Sequence, residues 1–216
     1  HCLSSAASDV YKRQLQDLVD SGKSKNIKLL YNTNGSIYPE RGMELWPHFK
    51  QVLLSWSFDG VGKQFEYIRH PAKWNEVQQN LQKVIDKNIP NIHLDICYTV
   101  GIFNIYYMEE ILEWRDSFKS DLPIYFNHVY TPEHFSCKVL PESIKSKIVE
   151  KYKNNTHPDV VSSVKYCTDV DYDVEKMNMF YSQVKYSDDF RGESFAGTFP
   201  EFYELLKKYA NAPEDF

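Results

Sequence analysis

Apolar and polar positions along the chain switch repeatedly between a helical period and short continuous apolar runs, and that switching predicts the elements. Leu15 to Val19 closes a helix that Ser21-Gly22 stops, and Ile27 to Tyr31 is an apolar run entering Asn and Gly, as a strand enters a loop. Val52 to Trp56 is a second run, ending at Ser57-Phe58-Asp59-Gly60. Trp74, Val77, Leu81, Val84 and Ile85 then recur at helical spacing and form one apolar stripe. Ile92 to Tyr98 predicts another strand, Ile105, Met108, Ile111 and Leu112 a helix, and Ile124 to Val129, after Pro123, a fourth strand. Four strands separated by crossovers of this length predict an α/β fold with parallel strands, because each crossover returns the chain to the same end of the sheet. In such folds ligands gather beyond the C-terminal strand ends, which here carry Asn34-Gly35, Ser57 to Gly60 and Cys97-Tyr98-Thr99.

Beyond Tyr130 the pattern becomes helical. Pro141 starts a helix with apolar Ile144, Ile148, Val149 and Tyr152, and Val174, Met177, Phe180, Tyr181 and Val184 define a second. Thr198 and Glu201 have capping-box spacing before Phe202, Leu205, Leu206 and Tyr209, so a last helix is expected there, with Tyr186 to Gly197 as a loop. The organisation expected is an arm over 1–14, an α/β domain over 15–130 and a mainly helical C-terminal extension over 131–216. The stretch His1 to Gln14, HCLSSAASDVYKRQ, has neither an initiator Met nor a signal-peptide apolar core. It resembles translated adaptor sequence at the end of an assembled reading frame, which implies natural sequence starting near Leu15; a disordered arm is the alternative.

Composition narrows the partners. Of 216 residues, 25 are Lys or Arg and 30 Asp or Glu, a formal charge of -5 with scattered bases, so binding to nucleic acid through its phosphates is not expected. No apolar stretch approaches membrane-spanning length, and a soluble, cytoplasmic protein is expected. Aromatic residues make up 15% of the chain and are expected mostly in the core, some tyrosines lining a polar cavity. Cys2, Cys97, Cys137 and Cys167 are too widely separated for a zinc ribbon or a simple iron-sulfur motif.

Several groups could carry chemistry. Asn32 to Gly35 reads as a plain turn. Ser57 and Asp59, alternating through Phe58, offer a hydroxyl and a carboxylate suited to a ribose, amine or amide, and Arg69 either clamps a carboxylate or makes an ordinary surface pair. His93 with Asp95, and His128 on the next strand, form an acid/base or two-ligand metal pair or simply hydrogen-bond within the sheet. Asp169, Asp171 and Asp173 open like a calcium loop, but Val174 and Phe180 stand where Gly and Glu are required, so helix capping accounts for them. The sequons at Asn34 and Asn154 read as turns, with no glycan assigned.

TNGS at Thr33 to Ser36, LLSWSFDG at Leu53 to Gly60, FEYIRHP at Phe65 to Pro71 and WNEVQQNLQKV at Trp74 to Val84, in that order, resemble the radical S-adenosylmethionine superfamily, especially members with a twitch-type extension. The tail from Asp171 to Glu201 is similar to the end of such proteins. The resemblance implies an incomplete partial (β/α)6 barrel, strands three to six, over Leu15 to Tyr130. It further implies an enzyme that reductively cleaves S-adenosylmethionine at a 4Fe-4S cluster to a 5'-deoxyadenosyl radical. A peptide or small-molecule substrate and an electron donor are the implied partners. Ser57, Asp59 and, less directly, Arg69 would contact S-adenosylmethionine, Asn34 would support the adjacent loop, and Thr99 would reach the cofactor or substrate. The CxxxCxxC cluster loop and the GGEP-like loop are absent, so this chain is expected to be an inactive fragment. Cys137 and Cys167 are expected to be ordinary partly buried thiols rather than ligands of an auxiliary cluster. A noncatalytic α/β nucleotide-binding module and a metal-independent α/β hydrolase using Asp59, Asp95 and His128 are the alternatives.

Overall fold

The computed structural model describes residues 13–119, 121–169, 172–214 and 216. Most of the expected arm, with Cys2, and also Asp171, lie outside the described residues, while residues 13–20 form helix α1. The fold is mixed α/β. Its four parallel strands, β1 (Lys28–Thr33), β2 (Gln51–Ser57), β3 (Ile92–Val100) and β4 (Ile124–His128), lie in the order β1-β2-β3-β4, so each expected strand is present and pairs with its sequence neighbour. The chain divides into two compact units: one from the chain up to Ser57 with Asn75–Ile96, the other from Phe58–Trp74 with Cys97–Phe216. Residues on both sides of position 130 belong to the second.

In the first unit β1 and β2 pair in register from Lys28 opposite Gln51 to Thr33 opposite Trp56. The helical stripe appears as α4 (Trp74–Lys87), with Val77, Leu81 and Val84 buried as the periodicity predicts. Between the first two strands α2 (Glu40–Leu45) adds a helix too short to show a period. Asn91 holds the entry to β2. Its Nδ2 donates to the carbonyls of Trp46 at 2.9 Å and Phe49 at 2.8 Å, and its own carbonyl accepts from the Val52 N–H at 2.8 Å. Asn91→Ala is expected to leave two carbonyls without this donor and cost about 1–2 kcal/mol in a urea melt. A loss within experimental error would assign the positioning to the surrounding backbone alone.

The second unit holds α3 (Lys63–Ile68), α5 (Met108–Lys119), β4 and the five C-terminal helices α6 (Glu142–Tyr152), α7 (Pro158–Thr168), α8 (Val174–Arg191), α9 (Phe195–Thr198) and α10 (Pro200–Tyr209). The expected aromatic core is here, in two clusters. Phe58, Phe65, Trp74 and Trp114 meet mostly edge-on at 5.1–5.7 Å between ring centres. A second cluster joins Tyr67, Phe103, Phe180, Phe195 and Phe199. Buried tyrosine hydroxyls end on fixed partners, as desolvation demands: Tyr67 on Asp188, Tyr107 on the Phe202 N–H, Tyr152 on the Met108 N–H.

Three expectations about the tail need correction. The loop expected over Tyr186 to Gly197 is helical as far as Arg191. The apolar stripe ends early because Tyr186 and Phe190 stack on each other in solvent, but nothing breaks the helix until Gly192, which adopts φ 65° as its C-cap. The capping box at Thr198 does not form, because Thr198 closes α9 and α10 begins at Pro200 with Phe199 before it. Helix α7 was not expected at all, although Pro158 at its start and buried Val160, Ser163 and Cys167 carry a helical signal. Asp173 does cap α8, accepting from the Lys176 N–H at 3.0 Å.

Candidate functional site

The five sequence-predicted site residues fall in both units. In the first, Asn34 follows β1 and Ser57 ends β2. Asn34 closes its own turn, its Oδ1 accepting from the Ser36 N–H at 3.1 Å and Oγ at 2.8 Å, while the Gly35 N–H donates to Thr33 Oγ1. Gly35 adopts φ 70°, and the buried side chain of Asn80, on α4, donates to its carbonyl at 2.9 Å. The turn reading of Asn32 to Gly35 therefore accounts for every bond of that side chain oxygen. Ser57 is half-buried, and its hydroxyl meets no partner among the described residues.

In the second unit Asp59, Arg69 and Thr99 form one hydrogen-bonded node. The Phe58 N–H donates to the Cys97 carbonyl at 3.0 Å, which carries Asp59 past the strand end. Asp59 is buried. Its Oδ1 accepts from the Thr99 N–H at 3.1 Å and its Oδ2 from Arg69 Nε at 2.5 Å. Both carboxylate oxygens are thus engaged, and the acid acts as the anchor of the node.

Arg69 is the C-cap residue of α3, with a side chain 28% exposed, and among the described residues its terminal nitrogens meet no acceptor. A guanidinium held by Nε alone presents two terminal nitrogens, with their four N–H donors, to a planar anionic group.

The node contains a residue that sequence reasoning missed. Asn104, 2% exposed, donates through Nδ2 to the carbonyls of both Asp59 and Thr99 at 2.9 Å, and its Oδ1 accepts from the Gly101 N–H at 2.7 Å. An Asn three residues after a strand-ending Gly is a turn signal, but its second and third bonds depend on where β2 ends, which no local pattern records. On the same face of β3 as Thr99, two residues before it, Cys97 accepts from Asn127 Nδ2 of β4 at 3.2 Å.

The remaining candidates do not join this node. His128 pairs through Nε2 with Ser163 Oγ at 3.1 Å and stacks on Tyr166 at 4.1 Å. Burial, aided by the Lys138 ammonium and opposed by Asp159, lowers its pKa. His93 is exposed on β3, and no bond joins it to Asp95 among the described residues. Cys137 and Cys167, expected to be partly buried, are fully buried. Among the described residues no group of three His, Cys, Asp or Glu could hold a metal ion, and no CxxxCxxC occurs in the sequence, so these residues do not fit the 4Fe-4S cluster. Among the described residues, too, no helix is long and apolar enough to cross a membrane.

What the second-unit node can do is recognise an anion: a buried carboxylate holds a guanidinium in one orientation beside the free hydroxyl of Thr99. No family model, curated protein or solved structure matches this chain.

Proposed function

We propose that this chain forms strands three to six of a radical S-adenosylmethionine barrel together with its helical C-terminal extension. The parent is an enzyme that modifies a peptide or small metabolite by hydrogen abstraction, fed by an electron donor. In the parent enzyme a 4Fe-4S cluster would supply the electron for cleavage of S-adenosylmethionine. This chain offers no ligand set for it, so what its own residues contribute is binding and orientation. In the second unit Arg69 takes the carboxylate of the methionine portion, Asp59 and Asn104 hold Arg69 and the end of β3 in place, and the hydroxyl of Thr99 faces a polar group of the ligand. Asn34 stiffens the loop after β1. A cytoplasmic location goes with this reading, since the described cysteines are free thiols.

The observation that carries the proposal is the Arg69 guanidinium fixed through Nε by a buried carboxylate, with its terminal nitrogens left for a ligand. The ordered motifs from Thr33 to Val84 add S-adenosylmethionine as the candidate ligand. The hydrolase alternative lacks this support, because His128 is committed to Ser163 and Asp59 to Arg69.

Titrating the chain with S-adenosylmethionine, followed by intrinsic aromatic fluorescence, tests the reading. Saturable binding is expected, and Arg69→Gln weakens it roughly tenfold to a hundredfold, as loss of a charge-assisted hydrogen bond worth about 1.5–3 kcal/mol requires. Arg41→Gln, on an exposed pair with Glu44, leaves it unchanged. Binding indifferent to Arg69, or none at millimolar ligand, overturns the proposal, and equal affinity for ATP assigns the chain to the nucleotide-binding modules.

A further inference from the structure

Cys137 opens the 3-10 helix Cys137–Val139, and Cys167 is the penultimate residue of α7. Both side chains are fully buried. Cys167 Sγ donates to the Cys137 carbonyl at 3.3 Å, which puts the two residues in direct contact. The neighbouring Cys167 thiol, with burial, holds the Cys137 thiol well above its ordinary value, while the adjacent Lys138 ammonium pulls it the other way.

The sequence neighbours of this pair face a cavity of about 360 Å³. Ser136, Lys138 and Val139, on either side of Cys137, line one wall, and Tyr166, beside Cys167, lines another. Lys138 already reaches across, its Nζ 4.2 Å from the centre of the Tyr166 ring and 3.6 Å from Asp169. One of the two thiols therefore sits on a three-residue turn, which can shift more readily than a helix, and the residues flanking that turn line the cavity.

We propose that Cys137 and Cys167 are an oxidisable pair, joined as a disulfide by a small two-electron thiol oxidant, and that the bond ties the Cys137–Val139 turn to α7 across the cavity wall. The chemistry balances simply. One thiolate attacks the oxidant, the second thiolate displaces the adduct to form the S–S bond, and the oxidant takes up the two electrons and two protons. The attacker is the thiolate, and the raised Cys137 value makes the reaction slow at neutral pH and faster as pH rises. The inference is independent of S-adenosylmethionine binding.

The test treats the full chain with diamide, a small diazene that becomes the corresponding hydrazine, followed by alkylation and a non-reducing peptide map. One linked peptide joining Cys137 to Cys167 is expected, with Cys97 recovered alkylated. The thermal midpoint should rise by on the order of 5–10 °C, as closing a loop of this length predicts, and fall again with dithiothreitol. Cys137→Ser and Cys167→Ser should each abolish both link and shift. Recovery of both thiols alkylated after oxidation, or linkage of Cys137 to Cys97 or Cys2 instead, overturns the proposal. Because the decisive reading is made on the unsubstituted chain, poor folding of either variant leaves it intact.

Discussion

Asp59→Ala is expected to lower the unfolding free energy by about 2–4 kcal/mol, the loss of one charge-assisted hydrogen bond and of the acceptor for a backbone N–H. The carboxylate supports two groups at once. Without it the Arg69 guanidinium, 28% exposed, loses its anion, and the Thr99 N–H loses its acceptor. Asn104, which donates to the main-chain carbonyls of Asp59 and Thr99, and the Phe58 N–H, which donates to the Cys97 carbonyl, are left to hold the backbone there. A domain of ordinary stability has only about 5–15 kcal/mol in total, so this single change is expected to lower the urea midpoint by a substantial fraction. Asp59→Asn separates the contributions. It keeps an acceptor for Thr99 while removing the charge, so it should cost less than the alanine variant. Arg69→Met, which removes the cation with little change in apolar volume, should rescue part of the Asp59→Ala loss in the double variant. Additive effects, or an alanine variant within about 1 kcal/mol of the parent chain, would show that the node is held by its backbone rather than by Asp59.

The second large effect is expected at Gly35. Its φ of 70° lies in the left-handed region, which costs an L side chain roughly 1–2 kcal/mol. A Cβ there would also meet the Trp56 ring well inside contact distance and the Val77 side chain at 2.8 Å. Trp56 and Val77 are both buried, so neither can swing aside without opening the packing between β2 and α4. Gly35→Ala is expected to cost about 3 kcal/mol or more, the sum of strain and overpacking. Gly22 supplies the comparison. It has nearly the same φ, 71°, with nothing within 4 Å of a would-be Cβ, so Gly22→Ala should cost only the conformational share, about 1 kcal/mol. Equal losses at the two positions in chemical denaturation would remove the role assigned to Trp56.

Much of the fold was legible because its elements are locally encoded. Four apolar runs bounded by turn residues became four parallel strands, and the stripe of Val77, Leu81 and Val84 became the buried face of α4. The errors lie where periodicity and helix extent part company. Helix α8 outruns its apolar stripe by most of two turns because helix formation needs only the absence of a breaker, and Gly192 is the first one it meets. The capping box at Thr198 failed for the converse reason: a favourable local pattern was pre-empted by α9, which already uses Thr198 as its last residue.

For the candidate site the division is sharper. Sequence singled out Asp59, Arg69 and Thr99, and the structure places them in contact, yet it gives Asp59 the work of an anchor with both oxygens occupied and leaves the outward donors to Arg69. Asn104 went unnoticed because its identity is that of any turn residue, and its function arises only where the Asp59 and Thr99 carbonyls come together.

By itself, then, the sequence determined the order and kind of the elements, the absence of a CxxxCxxC cluster loop and the residues worth examining, since these depend on composition, spacing and short-range propensity. Tertiary structure alone decided which of those residues meet, that Asn34 spends its oxygen on its own turn, and that Cys167 meets the Cys137 carbonyl from a distant segment of the chain. Hydrogen bonds and thiol pairs act over a few ångströms, and only the folded backbone sets those distances.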